Sequence, residues 1–256
     1  MRIKKIIIQI YEIQDPAEAR AVVEFGVDQI GSVIVSEHDW KLPDLKDTID
    51  TVRAAGGKSS LILLYNRLES VLRSLDYYRP DIVHFCEALT DQKDMWRYCE
   101  RLIHLQKRVK QRFPEIKITR SIPIVQEGQN YEFPTLKISK IFEPVSDFFL
   151  TDTLLVHDKG RPPALQPVEG FVGITGKICN WEIARQLVAE SQLPVILAGG
   201  ISPQNVVNAI EITNPAGVDS CTQTNMQTQN GQAIRFRKDL KKVKAFVEAV
   251  RRAEAK

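Results

Sequence analysis

A run late in the chain, Leu197-Ala198-Gly199-Gly200-Ile201-Ser202-Pro203-Gln204-Asn205-Val206, has the residues needed to hold an anion. An apolar segment leads into two glycines and then into a Ser-Pro helix start. Without Cβ atoms, Gly199 and Gly200 let an anion reach backbone N–H groups, and the positive end of a helix dipole favours negative charge. The next run, Gly217-Val218-Asp219-Ser220-Cys221-Thr222-Gln223-Thr224-Asn225, offers further hydrogen-bond donors in its Ser, Thr and amide groups. A phosphoryl group between these two runs is the chemistry they suit; a plain tight turn is the alternative.

These runs need elements to position them. Short runs rich in Ile, Val and Leu alternate with helical patterns along the chain. Strands are expected at 5–11, 27–35, 58–65, 81–86, 116–124, 147–151, 194–198 and 217–221, and lack strict alternation, as strands buried on both faces do. Helical patterns lie between them at 15–25, 42–55, 67–78, 91–113, 133–142, 180–190, 203–212 and 239–252. Asp15-Pro16 and Ser202-Pro203 read as helix starts, and Gly26 and Gly56-Gly57 as stops. Eight such units in 256 residues fit a closed α/β barrel of eight strands better than an open doubly wound sheet. A single (β/α)8 TIM-barrel domain over residues 1–256 is expected. Barrels often hold phosphate in the loops after strands seven and eight, where the two runs fall. The 91–113 helix carries a Lys/Arg run on what reads as its solvated side, and 153–173 is long for a connecting loop.

Composition removes other classes. The chain is 43% hydrophobic and 26% charged, which excludes disorder, and its net charge of +3 is too small for a nucleic-acid footprint. Its apolar runs fall far short of the about 20 residues that cross a membrane, and no signal-peptide pattern follows Met1, so no membrane partner and a cytoplasmic location are expected. Cys86, Cys99, Cys179 and Cys221 form no CxxC pair, so free thiols and no metal site are expected.

Several segments, in order, resemble the phosphoribosylanthranilate isomerase family of tryptophan biosynthesis. Residues 197–206 are similar to its LAGGLxPxNV, and Gly217-Val218-Asp219 to the start of GVDxSSGVE. Residues 173–181 resemble GGTGxxFDW, Phe149-Leu150-Thr151-Asp152 resembles LLDS, and Tyr65-Asn66 resembles the end of VFVN. Gly26-Val27-Asp28-Gln29-Ile30-Gly31 resembles GADxIGF, and Lys238-Asp239 a late Lys-Asp pair. The resemblance implies a barrel of the ribulose-phosphate-binding type. It also implies an Amadori aldose–ketose rearrangement of a phosphoribosylated arylamine, needing no cofactor, in a monomer or homodimer. Asp152 stands at the position of the family's general acid. Gly176 joins Gly199, Gly200, Cys221 and Thr222 as phosphate-binding candidates, and Asp219 is a substrate-binding candidate.

The first half of the chain departs from the family pattern. KICGxT becomes Gln9-Ile10-Tyr11-Glu12-Ile13, with Tyr11 at the position of the basic cysteine and Glu12 at the following glycine. A phenol with an ordinary pKa near 10 is a poor base. The anion-binding arginine of SPR is missing, with Lys41 nearby as a point charge, and QLHG becomes His84-Phe85-Cys86-Glu87. Glu12, His84 and Tyr11 are the candidate bases. A divergent phosphosugar enzyme running another reaction, or a non-catalytic phosphometabolite-binding barrel, are the alternatives.

Overall fold

In the computed structural model, residues 5–90, 94–129, 131–156 and 167–254 are described. The strands are β1 (Ile7–Ile10), β2 (Gln29–Ile34), β3 (Lys58–Leu63), β4 (Ile82–Phe85), β5 (Lys117–Val125), β6 (Phe148–Leu154), β7 (Val195–Leu197) and β8 (Gly217–Ser220). All eight are parallel, neighbours follow chain order, and β1 pairs with β8 to close the barrel. The helices are α1 (Pro16–Glu24), α2 (Pro43–Ala54), α3 (Leu68–Tyr78), α4 (Met95–Arg112), α5 (Thr135–Phe142), α6 (Trp181–Glu190), α7 (Val206–Thr213) and α8 (Leu240–Glu254). The eight expected strand–helix units are all present in order.

Local chemistry accounts for many of the boundaries. Asp15 caps α1 by accepting from the Glu18 N–H at 2.8 Å, Pro16 opens its first turn, and Gly26 at φ +96° ends it. α4 begins at Met95, capped by Asp94; residues 91–93, where the helix was expected to start, lie outside the described residues. Much of the expected 153–173 loop, residues 157–166, also lies outside them, and β6 itself runs on to Leu154. The Ser202-Pro203 helix start is a correction. α7 begins only at Val206, because Asn205 folds back to accept from the Ser202 N–H at 2.8 Å and donate to the Gly200 carbonyl at 3.0 Å. A hairpin of β9 (Asn225–Gln227) and β10 (Ala233–Lys238) between β8 and α8 was not expected, since its strands are short and polar.

The core has two layers. Outward strand residues such as Ile8, Ile10, Ile118 and Phe149 pack against buried helix residues such as Val22, Val71, Leu102 and Phe246. Inside the barrel a smaller cluster joins Tyr11, Leu150, Ile196 and Ala198.

At the amino-terminal end of the strands one device repeats three times. Asp28, Asp81 and Asp147, just ahead of β2, β4 and β6, accept from the backbone N–H of Ile8, Ser59 and Ile118 at 3.0, 3.0 and 2.9 Å. Lys5, Lys58 and Lys117 pair with them at 2.5, 2.9 and 3.3 Å. Partial burial opposes ionisation at all three, but these bonds prevail and hold each carboxyl below its ordinary pKa. Among the described residues, no helix is long and apolar enough to cross a membrane.

Candidate active site

The alternation that buries β-branched residues outside the barrel points polar ones inward. Tyr11 after β1, Ser60 on β3, His84 on β4, Ser121 on β5 and Asp152 on β6 are linked by hydrogen bonds, and Gln9 on β1 bonds separately to Asp219 on β8. Tyr11 has room because Gly31 lies beneath its ring, where any Cβ would collide with it.

Four contacts form one line across the mouth. The Tyr11 hydroxyl lies 2.7 Å from Ser60 Oγ and 2.7 Å from His84 Nδ1. His84 Nε2 lies 2.8 Å from Ser121 Oγ, which donates to Asp152 Oδ2 at 2.8 Å. Asp219 Oδ1 accepts from Gln9 Nε2 at 3.2 Å.

Two recesses open here. The larger, about 520 Å³, is walled mainly by apolar groups, including Val33, Ile62, Leu64, Leu150, Phe171 and Val172. The smaller, about 330 Å³, is bounded by Thr175, Gly176, Gly199, Gly200, Thr222 and Gln223. Asp152, Ile174, Asp219 and Cys221 border both. Among the described residues lining either recess there is no Lys or Arg. The glycines are required by their own chain as well. Gly199 and Gly200 have φ +89° and +66°, and a Cβ on Gly200 would lie 2.7 Å from the Lys177 carbonyl carbon.

Burial sets the protonation pattern. Desolvation lifts the Asp152 carboxyl to about 7, against the bond from Ser121. Desolvation also lifts Asp219 to about 8, with the negative charge of Asp152 adding to it and the Gln9 bond opposing it. His84 is pushed down to about 3 by burial and by Arg120 behind the strand wall, so it is neutral at physiological pH. Burial raises the Tyr11 phenol well above its ordinary value, so free phenolate is not its working form. The Cys86 thiol is raised likewise, chiefly by burial, which removes it as a thiolate substitute for the family's cysteine.

The structure gathers most of the sequence candidates at this mouth: Tyr11, His84, Asp152, Gly176, Gly199, Gly200, Asp219, Cys221 and Thr222. Two stand differently. Lys41 does not reach the mouth; it is exposed, with its Nζ 4.9 Å over the Tyr77 ring, because the β2–α2 connection carries it outward. Glu12 borders the larger recess, but both its carboxylate oxygens are engaged, one by Arg235 Nε at 2.6 Å and the other by Asn225 Nδ2 at 3.0 Å. It does so at φ +62°, a conformation that costs a non-glycine residue about 1 kcal/mol. These bonds tie it to the β9–β10 hairpin. Ser60, Ser121 and Gln9 went unread in the sequence. The available signal was a polar residue set within each of three largely apolar runs.

The class defined by fold and site is a (β/α)8 barrel with a glycine-lined recess beside a buried carboxylic acid whose pKa is raised to about 7. Residues 121–249 match the family model described as N-(5'-phosphoribosyl)anthranilate isomerase, and the chain belongs to that family. N-(5'-phosphoribosyl)anthranilate isomerase 1 of Methanosarcina mazei is 27% identical over 255 residues, covering 97% of this chain and 96% of that protein. Phosphoribosyl anthranilate isomerase of Thermotoga maritima has the same fold at 17% identity, with a TM-score of 0.66 over 96% of this chain and 99% of that one. An isomerase solved in complex with reduced 1-(o-carboxyphenylamino)-1-deoxyribulose 5-phosphate superposes over 96% and 99% of the two chains, with a TM-score of 0.65 and 16% identity.

Proposed function

We propose that this chain, folded as one domain, catalyses the Amadori rearrangement of N-(5'-phosphoribosyl)anthranilate, opening the furanose ring and converting the aldose to the open-chain ketose. The phosphate sits in the corner of Gly176, Gly199, Gly200, Cys221 and Thr222, and the aryl group lies in the apolar recess. Asp152 donates its proton to the ring oxygen. Tyr11, backed by His84, faces the sugar C2 and takes its proton, and Asp219 holds a sugar hydroxyl.

The observation that carries this reading is the position of Asp152. It lies where the two recesses meet, with a pKa of about 7 that leaves much of it protonated at neutral pH, as a general acid requires. The test is the loss of phosphoribosylanthranilate fluorescence on adding enzyme, with Asp152→Asn as control. Rapid loss that the variant abolishes supports the reading; no loss at high enzyme concentration rejects it.

A further inference from the structure

The family pattern supplies one basic cysteine at the position held here by Tyr11. An isolated buried phenol is a far weaker base, yet this one is not isolated. Its hydroxyl touches Ser60 on one side and on the other starts an unbroken series of hydrogen bonds, each 2.7–2.8 Å, that runs through His84 and Ser121 to Asp152. Each member both donates and accepts, and an imidazole does so through two different nitrogens.

We propose that His84 and Ser121 form a proton relay joining Tyr11 to Asp152, so that the proton removed from the substrate is returned to the acid within the same turnover. This rests on the rearrangement proposed above. When Asp152 has protonated the ring oxygen it is a carboxylate and accepts from Ser121. Ser121 then accepts from His84 Nε2–H, and His84 Nδ1 accepts from the Tyr11 hydroxyl. As the C2–H bond breaks, its electron pair forms the C1–C2 double bond and neutralises the iminium nitrogen. The C2 proton passes to Tyr11 Oη while the phenolic proton moves to His84 Nδ1. The Nε2 proton moves to Ser121 Oγ, and the Ser121 proton moves to Asp152. Tyr11 and Ser121 end as they began, His84 has exchanged tautomers, and Asp152 is again an acid. No free phenolate and no imidazolium form, which suits a tyrosine and a histidine both buried to this degree.

The relay makes the His84 tautomer a reporter of Asp152. With Asp152 ionised the proton lies on Nε2; with Asp152 protonated and donating to Ser121 it lies on Nδ1. The other titratable or charged groups facing these two residues are Tyr11, Cys86, Cys179, Asp219 and, beyond the strand wall, Arg120. None of them continues the line of hydrogen bonds from Asp152 past Tyr11.

The test is 15N NMR of the imidazole in the whole, ligand-free protein between pH 5 and 9. The expected result is a neutral ring throughout, whose two nitrogens exchange protonated and bare signatures near pH 7. Asp152→Asn and Ser121→Ala abolish that exchange, and Asp219→Asn leaves it. In the phosphoribosylanthranilate assay Ser121→Ala lowers kcat at least tenfold with KM within twofold, and Ser121→Thr restores most of the loss. A tautomer that ignores pH, a ring that becomes cationic in this range, or an exchange that survives Ser121→Ala would overturn the relay. The NMR result is independent of turnover, so a failed assay beside an intact tautomer exchange rejects the reaction and not the hydrogen-bond relay.

Discussion

Five aspartates divide between the two ends of this barrel and behave in opposite ways. At the amino-terminal end Asp28, Asp81 and Asp147 each accept a backbone N–H and pair with a lysine, and their carboxyls are held low. At the carboxyl-terminal end Asp152 and Asp219 accept one side-chain bond each from Ser121 and Gln9, with no cation among the described lining residues, and rise to about 7 and 8. The same side chain is a structural anion at one end and a reservoir of protons at the other. Barrels of this kind place stability at the first end and chemistry at the second. Here the division comes down to how completely the carboxyl is buried and whether N–H groups and ammonium ions reach it.

The largest effect that sharpens this contrast comes from Asp152→Asn, an isosteric change that removes the acid. We expect turnover to fall by 10²–10⁴-fold, while inorganic phosphate still raises the melting temperature as in the parent. Full turnover in that variant would break the assignment of the mouth.

Asp81→Ala tests the other end. It strands the Ser59 N–H and frees Lys58, at a cost of about 2 kcal/mol. The melting temperature should drop by about 5 °C, with kcat unchanged below the transition. A fall in kcat without loss of stability would mean the two ends are not separate.

Titration separates them again. The lowered aspartates bind protons more weakly folded than unfolded, so their contribution is present above the ordinary value of 3.8 and is lost as pH falls through their native pKa values. Asp152 and Asp219 are raised, so their contribution is present below 3.8 and is lost as pH rises through about 7 and 8. Denaturant midpoints against pH should therefore decline on both sides. Asp81→Ala flattens the acid limb and Asp152→Asn the alkaline limb. Over the same range kcat should fall as pH rises through about 7, because the acid loses its proton; a rise would reverse the role of Asp152.

The smallest effect belongs to Glu12→Gln. Losing the charge opposite Arg235 lowers the melting temperature by a few degrees, and kcat stays within about twofold. A loss of 10²-fold would restore Glu12 as the base.

Much of the fold was legible because its causes are local. Period, caps and glycine stops placed all eight strand–helix units, and Gly-Gly after an apolar strand marked the rim of the smaller recess. Asp152 was legible only through a motif, since nothing in residues 149–152 says that water will be kept from the carboxyl. The Ser202-Pro203 start misled, because it was a side chain three positions on, Asn205, that closed the turn.

The amino-acid sequence alone determined the order of strands and helices and favoured the closed barrel over an open sheet, because hydrophobic periodicity and backbone preference act over a few residues; the family was legible through its motifs. Only the tertiary structure decided that Tyr11 touches His84, that Ser121 bridges His84 to Asp152, and that Arg235 reaches across 223 positions to occupy Glu12. Contacts between strands depend on the register at which the barrel closes, and desolvation depends on every wall of the cavity together, so no short stretch of chain encodes either.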